Sequence, residues 1–137
     1  MQQDLQAVGI KVNLQGQSIQ VALNSYRGGQ EAMGLWYWGP DFPDPADYLN
    51  FLPGALVGLR AGWAKGADPA LEAMGATAAS TTQNSARETL YQKIQQSMNS
   101  SSPFVPLIQP AQILVGATSL KNLQSNVLWL VDLSELG

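Results

Sequence analysis

The chain has 137 residues, a formal net charge of −3, 12% charged and 45% hydrophobic residues, and neither cysteine nor histidine. At this length one core burying roughly two-thirds of the unfolded surface is expected, and no apolar run reaches the roughly 18 residues of a membrane span. The missing side chains exclude thiol nucleophiles, disulfides, the usual zinc ligands and every triad with an imidazole base, while seven scattered basic residues leave no electrostatic footprint for nucleic acid or anionic lipid.

Leu5 and Val8 are apolar at helical spacing, and Gly9 stands where a left-handed cap ends that helix. No signal peptide is visible, and because the first residues enter directly what looks like the tail end of a helix, the chain is expected to be a piece of a longer protein. Ile10, Val12 and Leu14 alternate with polar neighbours, which predicts a half-buried strand closed by Gly16. Ile19, Leu23 and Tyr26 fall at i, i+4 and i+7, predicting an amphipathic helix over residues 18–27 that ends at Gly28-Gly29. Residues 33–38 then alternate as a strand does, with Met33, Leu35 and Tyr37 on one face and Trp36 and Trp38 on the other. The resulting β-α-β unit implies a parallel pair with a right-handed crossover.

Residues 36–51 gather six of the eleven aromatics, three of the eight prolines and three of the six aspartates, so rigid, acidic and aromatic character is concentrated in one stretch. Gly39-Pro40 ends the strand, and Pro43 and Pro45 stiffen the loop around Asp41 to Asp44. Asp44 at the cap, Pro45 in the first helical position and Asp47 in the first turn predict a short helix over residues 46–52. Residues 53–66, punctuated by glycines, read as a loop whose Trp63 plugs the core. Asp68-Pro69 opens a helix with Leu71, Met74 and Ala78 on its inner face, and residues 77–85 read as a connection. Ser85 and Glu88 have capping-box spacing and start a helix lined by Leu90, Ile94 and Met98 that frays over residues 99–102. Residues 104–108, interrupted by Pro106, 112–117 and 127–131 are further strand candidates.

These pieces, in this order, resemble a known family. A helix ending in L-x-x-V-G-I-K-V, an amphipathic helix, a strand running into W-G-P-D-F-P-D-P, a capped helix with R-E-x-L-Y-x-x-I-Q and then P-F-V-P-L are similar to the C-terminal part of the extracytoplasmic solute-binding proteins of ABC importers, the peptide/nickel (dipeptide and oligopeptide) binding family. The resemblance runs from Asp4 to about Leu133. It implies an α/β fold, a mixed sheet flanked by helices, as one lobe of a two-lobed, type II periplasmic-binding-protein-like architecture. Residues from 1 to about 112 would form the ligand-gripping lobe, and those from about 113 to 137 would return toward the other lobe. It further implies a periplasmic or otherwise extracytoplasmic location, possible tethering to the membrane, a membrane permease as partner, and the first lobe of the same polypeptide as the other half of the cleft.

In peptide-binding relatives the Asp of the W-x-x-D motif pairs with the ligand's terminal ammonium and the Trp helps wall the pocket; the matching positions here are Asp41 and Trp38. Trp36, Phe42 and Tyr48 complete the expected ligand-binding set, with Tyr48 and Phe51 open between pocket wall and core. Aromatic planes beside a carboxylate suit a sugar as well as a peptide, and a free-standing interaction module using the aromatic loop is the third reading. No cofactor is expected. The spacing of Asp44 and Asp47, with prolines at 43 and 45, does not fit a calcium loop. A glycosidase needs two carboxylates roughly 5–9.5 Å apart in opposite roles, but capping already explains Asp44, so no enzymatic activity is expected.

Overall fold

The structure, a computed structural model, describes residues 1–126 and 131–137. Among them are five α-helices, α1 (Gln2–Ala7), α2 (Ile19–Arg27), α3 (Leu56–Arg60), α4 (Pro69–Ser80) and α5 (Asn84–Ser101), with 3₁₀ turns at Pro45–Phe51 and Leu133–Glu135.

Local chemistry accounts for most helix ends. Gly9 takes φ +86° after α1, as the glycine there predicts. Ser18 caps α2 through its hydroxyl, which accepts from the Val21 N–H, and Gly29, at φ +63°, turns the chain away after Arg27. Leu23 and Tyr26 are half-buried as expected of an inner face, whereas Ile19 is exposed. Asp68 accepts from the Leu71 N–H at 3.0 Å and Pro69 opens α4. That helix continues to Ser80, past the expected end, because Ala76, Ala78 and Ala79 favour helix.

Two starts differ from expectation. The Asp44-Pro45 signal is used, since the Asp44 carboxylate accepts from the Ala46 N–H at 2.7 Å, but the segment winds as 3₁₀. It is one short stretch before Pro53, and Leu52, extended ahead of that proline, closes it. Helix α5 begins two residues earlier than the Ser85 box. Gln83 caps it by accepting from the Ala86 N–H at 2.7 Å, and Glu88 accepts from Gln92 instead of reaching back. Its far end holds through Ser101 without the expected fraying.

The expected loop at 53–66 contains α3. Gly54 and Gly62, both with positive φ, bracket this helix, and Gly58 inside it is buried. A Cβ on Gly58 would lie 2.1 Å from the Leu52 carbonyl oxygen. That glycine is therefore a contact surface for the preceding segment and not a break.

Helix α4 packs along α5, and the 3₁₀ turn at Pro45–Phe51 rests on α3 and α4. Leu52, Leu71, Ala78 and Ile94 are the buried centre, with Leu49, Trp63, Met74, Leu90 and Met98 packed around it. Trp63 thus sits against the core.

The mixed α/β sheet, and with it the type II lobe, is not what the structure holds. Among the described residues there is no sheet, and β-bridge geometry is confined to Asn126. Residues 10–14, 33–38, 104–108 and 112–117 are irregular, and the strand candidate at 127–131 lies outside the described residues apart from Val131. The physical reason is that period-two alternation offers a face to bury but no ladder partner, and isolated strands do not hold in water. Pro103, Pro106 and Pro110 also remove donors that a ladder would need. Many apolar side chains of these segments are consequently left in solvent, with Ile108 at 85% exposure and Val115 at 89%.

Candidate functional site

The site is built on the loop that enters the 3₁₀ turn. Asp47, from the first turn, is only 1% exposed. Its carboxylate accepts the Asp41 backbone N–H at 2.6 Å and the Asn50 side-chain amide at 3.2 Å. Asn50 also donates to the Asp47 carbonyl at 3.0 Å. Asp41 itself is exposed, and among the described residues its carboxylate has no hydrogen-bond or ion-pair partner. The loop therefore presents an unpaired carboxylate on a backbone that is tied down.

The expected aromatic wall separates into two groups. Trp38 packs on Tyr48 and on Phe51, with ring centroids 5.1 and 4.9 Å apart, and Phe104 meets Phe51 edge-on at 5.0 Å. Trp36 turns instead to α2. Its ring lies 4.7 Å from Tyr26, its indole N–H donates to Glu31 at 2.7 Å, and Arg60 stands over the other ring of that stack at 5.2 Å from the Tyr26 centroid. The alternation of residues 35–38 survives without a sheet: Trp36 and Trp38 are half-buried, while Leu35 and Tyr37 are exposed.

Phe42 and Tyr48, half in solvent, join Pro40, Pro43, Asp44 and Pro45 around a shallow apolar depression of about 270 Å³. The residues on either side of Asp41 line it. The structure thus brings Trp38 and Tyr48 together, puts Phe42 and Tyr48 on one rim beside the Asp41 loop, and takes Trp36 elsewhere.

A second tie holds the loop to α5. Asp44 and Arg87 form an ion pair between residues 43 apart in sequence, and the Arg87 guanidinium lies 4.9 Å from the Tyr91 ring centroid. The Ala46 N–H, and then the Arg87 guanidinium, hold the Asp44 carboxyl below its ordinary value of 3.8. A lowered carboxyl stabilises the fold fully above its ordinary pKa, and that contribution is lost as pH falls through the lowered folded value. Arg87→Gln should therefore flatten the acid limb of thermal stability. Melting temperatures of the two proteins are expected to differ at pH 6 and to converge below pH 3.8; a gap that persists unchanged at the lowest pH would rule the pair out as its source.

Sequence reading missed the roles of Glu31, Asn50 and Arg87, and took Asp47 for a first-turn charge only. The spacing of Asp47 and Asn50 on one turn was the available signal; the partners of Glu31 and Arg87 are set by packing. Among the described residues no cluster of acidic side chains has the geometry to hold a metal ion, and no helix is long and apolar enough to cross a membrane. No family model matches the chain, and comparisons with curated proteins and with solved structures give no match either.

Proposed function

We propose that this chain belongs to the substrate-binding component of an ABC importer and captures short peptides through their amino end. The observation that carries this reading is the Asp41 carboxylate, exposed and, among the described residues, without a partner on a loop whose backbone is tied to Asp47, beside an apolar depression rimmed by Phe42 and Tyr48. An ammonium pairs with the carboxylate, and the adjoining side chain of the ligand lies on the aromatic and proline rim. The remainder of the same polypeptide supplies other contacts, a membrane permease receives the cargo, and the protein works in the periplasm or on the outer face of the membrane.

Exposure sets the strength. A solvent-exposed ion pair contributes about 0.2–1 kcal/mol, so this chain alone binds weakly and salt weakens it further. Tri-alanine is expected to shift the indole signal of Trp38 in an NMR titration, N-acetyl-tri-alanine to shift it much less, and Asp41→Asn to weaken the free-amine peptide by at most about fivefold with no change in melting temperature. Equal response to both peptides would sink the amine reading. A sugar that moves the same signal, with neither peptide doing so, would reassign the depression to carbohydrate.

One observation favours a second reading, a protein-interaction surface. Met33, Leu35 and Tyr37, close together in the chain, are all left in solvent, Tyr37 at 79% exposure. Loss of function in a Leu35→Ser, Tyr37→Ser variant that still binds tri-alanine normally would support it.

A further inference from the structure

Asp47 carries a carboxylate in a buried place beside the Asp41 loop. It is 1% exposed and has no cationic partner among the described residues. A buried carboxylate without a cation is costly unless its hydrogen bonds compensate. Both of its oxygens are used: one accepts the Asp41 N–H and the other the Asn50 amide. The Asn50 amide is itself held on the Asp47 carbonyl, so the acceptor pair is fixed in orientation.

From this geometry we infer that Asp47, oriented by Asn50, is the positioning residue for the Asp41 carboxylate: by holding the Asp41 N–H it fixes where that carboxylate stands relative to the Phe42 and Tyr48 rim. The binding consequence rests on the ammonium reading of Asp41; the positioning itself does not. Asp47 never meets the ligand. It acts through the backbone of a residue six positions earlier, and hydrogen bonds to a charged acceptor are among the stronger ones in proteins. The 3₁₀ turn and the Asp41 loop are thereby one unit, and the depression between them has a fixed rim.

The test uses the full chain, the variants Asp47→Asn and Asp41→Asn, and the two combined. Asp47→Asn keeps the volume but leaves one neutral oxygen for two N–H donors, so the Asp41 N–H loses either its acceptor or that acceptor's charge. The Asp41 amide is expected to exchange with solvent at least about tenfold faster in Asp47→Asn than in the parent chain. Tri-alanine is expected to bind Asp47→Asn as weakly as it binds Asp41→Asn, and the double substitution Asp41→Asn, Asp47→Asn to be no weaker than either alone, as for two groups acting as one. Equal Asp41 exchange rates in parent and Asp47→Asn would overturn the inference, as would additive losses in the double variant. If tri-alanine does not bind the parent chain at all, the ammonium reading fails, and the exchange rates still decide whether Asp47 positions Asp41. Should Asp47→Asn unfold, the parent chain decides: an Asp41 amide protected from exchange although the residue is exposed supports the inference, and one that exchanges at the rate of a free peptide overturns it.

Discussion

Leu71→Ala is expected to lower the stability of this chain by roughly 2–5 kcal/mol. Leu71 is 1% exposed and stands in the buried cluster with Leu52, Ala78 and Ile94. Its backbone N–H is also the one that Asp68 caps, so the side chain is delivered to the core by a helix start that cannot shift to follow a smaller residue. The cavity therefore stays open and both the transfer and the void terms apply. A domain of this size has about 5–15 kcal/mol in total, and so few buried aliphatic side chains place it toward the low end. Urea unfolding is expected to show a much lower midpoint with an unchanged slope. A midpoint change worth less than about 1 kcal/mol, within the range of a routine surface substitution, would mean that the core is not centred on this side chain.

The second large effect is expected at Gly58. The nearest atom to an added Cβ there is a backbone oxygen, that of Leu52 at 2.1 Å, with the Leu52 carbonyl carbon at 3.0 Å and the Phe51 oxygen at 3.3 Å. None of these can rotate away, so α3 has to separate from the end of the 3₁₀ turn. Gly75 on α4 provides the control. Its added Cβ would meet the Leu52 side chain at 2.3 Å, a methyl that a change of rotamer can move, and alanine recovers about 0.5–1 kcal/mol of helix preference. Gly58→Ala is therefore expected to cost roughly 1–3 kcal/mol or more, and Gly75→Ala clearly less. Because Phe51 sits next to the displaced carbonyl, the Trp38 and Tyr48 ring signals should move in Gly58→Ala and stay in place in Gly75→Ala. Melting curves that rank the two variants the other way would show that α3 yields freely.

Much of the helical framework was legible because its signals are short-range. Asp44-Pro45 and Asp68-Pro69 each place a carboxylate one residue before a pre-set φ, and both start a helix or turn where they stand. Ser18, Gly9 and Gly29 act in the same local way. At α5 two local signals competed, and Gln83 prevailed over Ser85 by reaching the Ala86 N–H. Helix α3 was not legible, since Gly58 looks like a breaker until the Leu52 backbone is seen against it. The strand expectations went wrong for a different reason. Alternation describes which way side chains point, and residues 35–38 do alternate, but a strand exists only through a partner's hydrogen bonds.

The site divided along the same line. Pro43 and Pro45 gave the expectation of a stiff loop around Asp41, whereas the hydrogen bond that ties its backbone to Asp47 is set by packing. That Trp36 leaves for Tyr26 and Glu31 while Trp38 joins Tyr48 is decided by which helix lies under each. Asp47 shows the limit most clearly, because a first-turn acid and a buried acceptor are the same residue type at the same position, and only packing distinguishes them.

Every buried residue among those described lies between Asp47 and Ile94, a contiguous run in which each packed element follows its partner closely along the chain. Such local topology sets the tempo of folding. Little loop-closure entropy is lost before contacts form, so collapse of the α4–α5 hairpin with the 3₁₀ turn belongs to the microsecond-to-millisecond class of helical domains. Trp63, packed on that core, is the natural fluorophore for following it, and residues 1–30 are expected to be dispensable for the rate of the main phase.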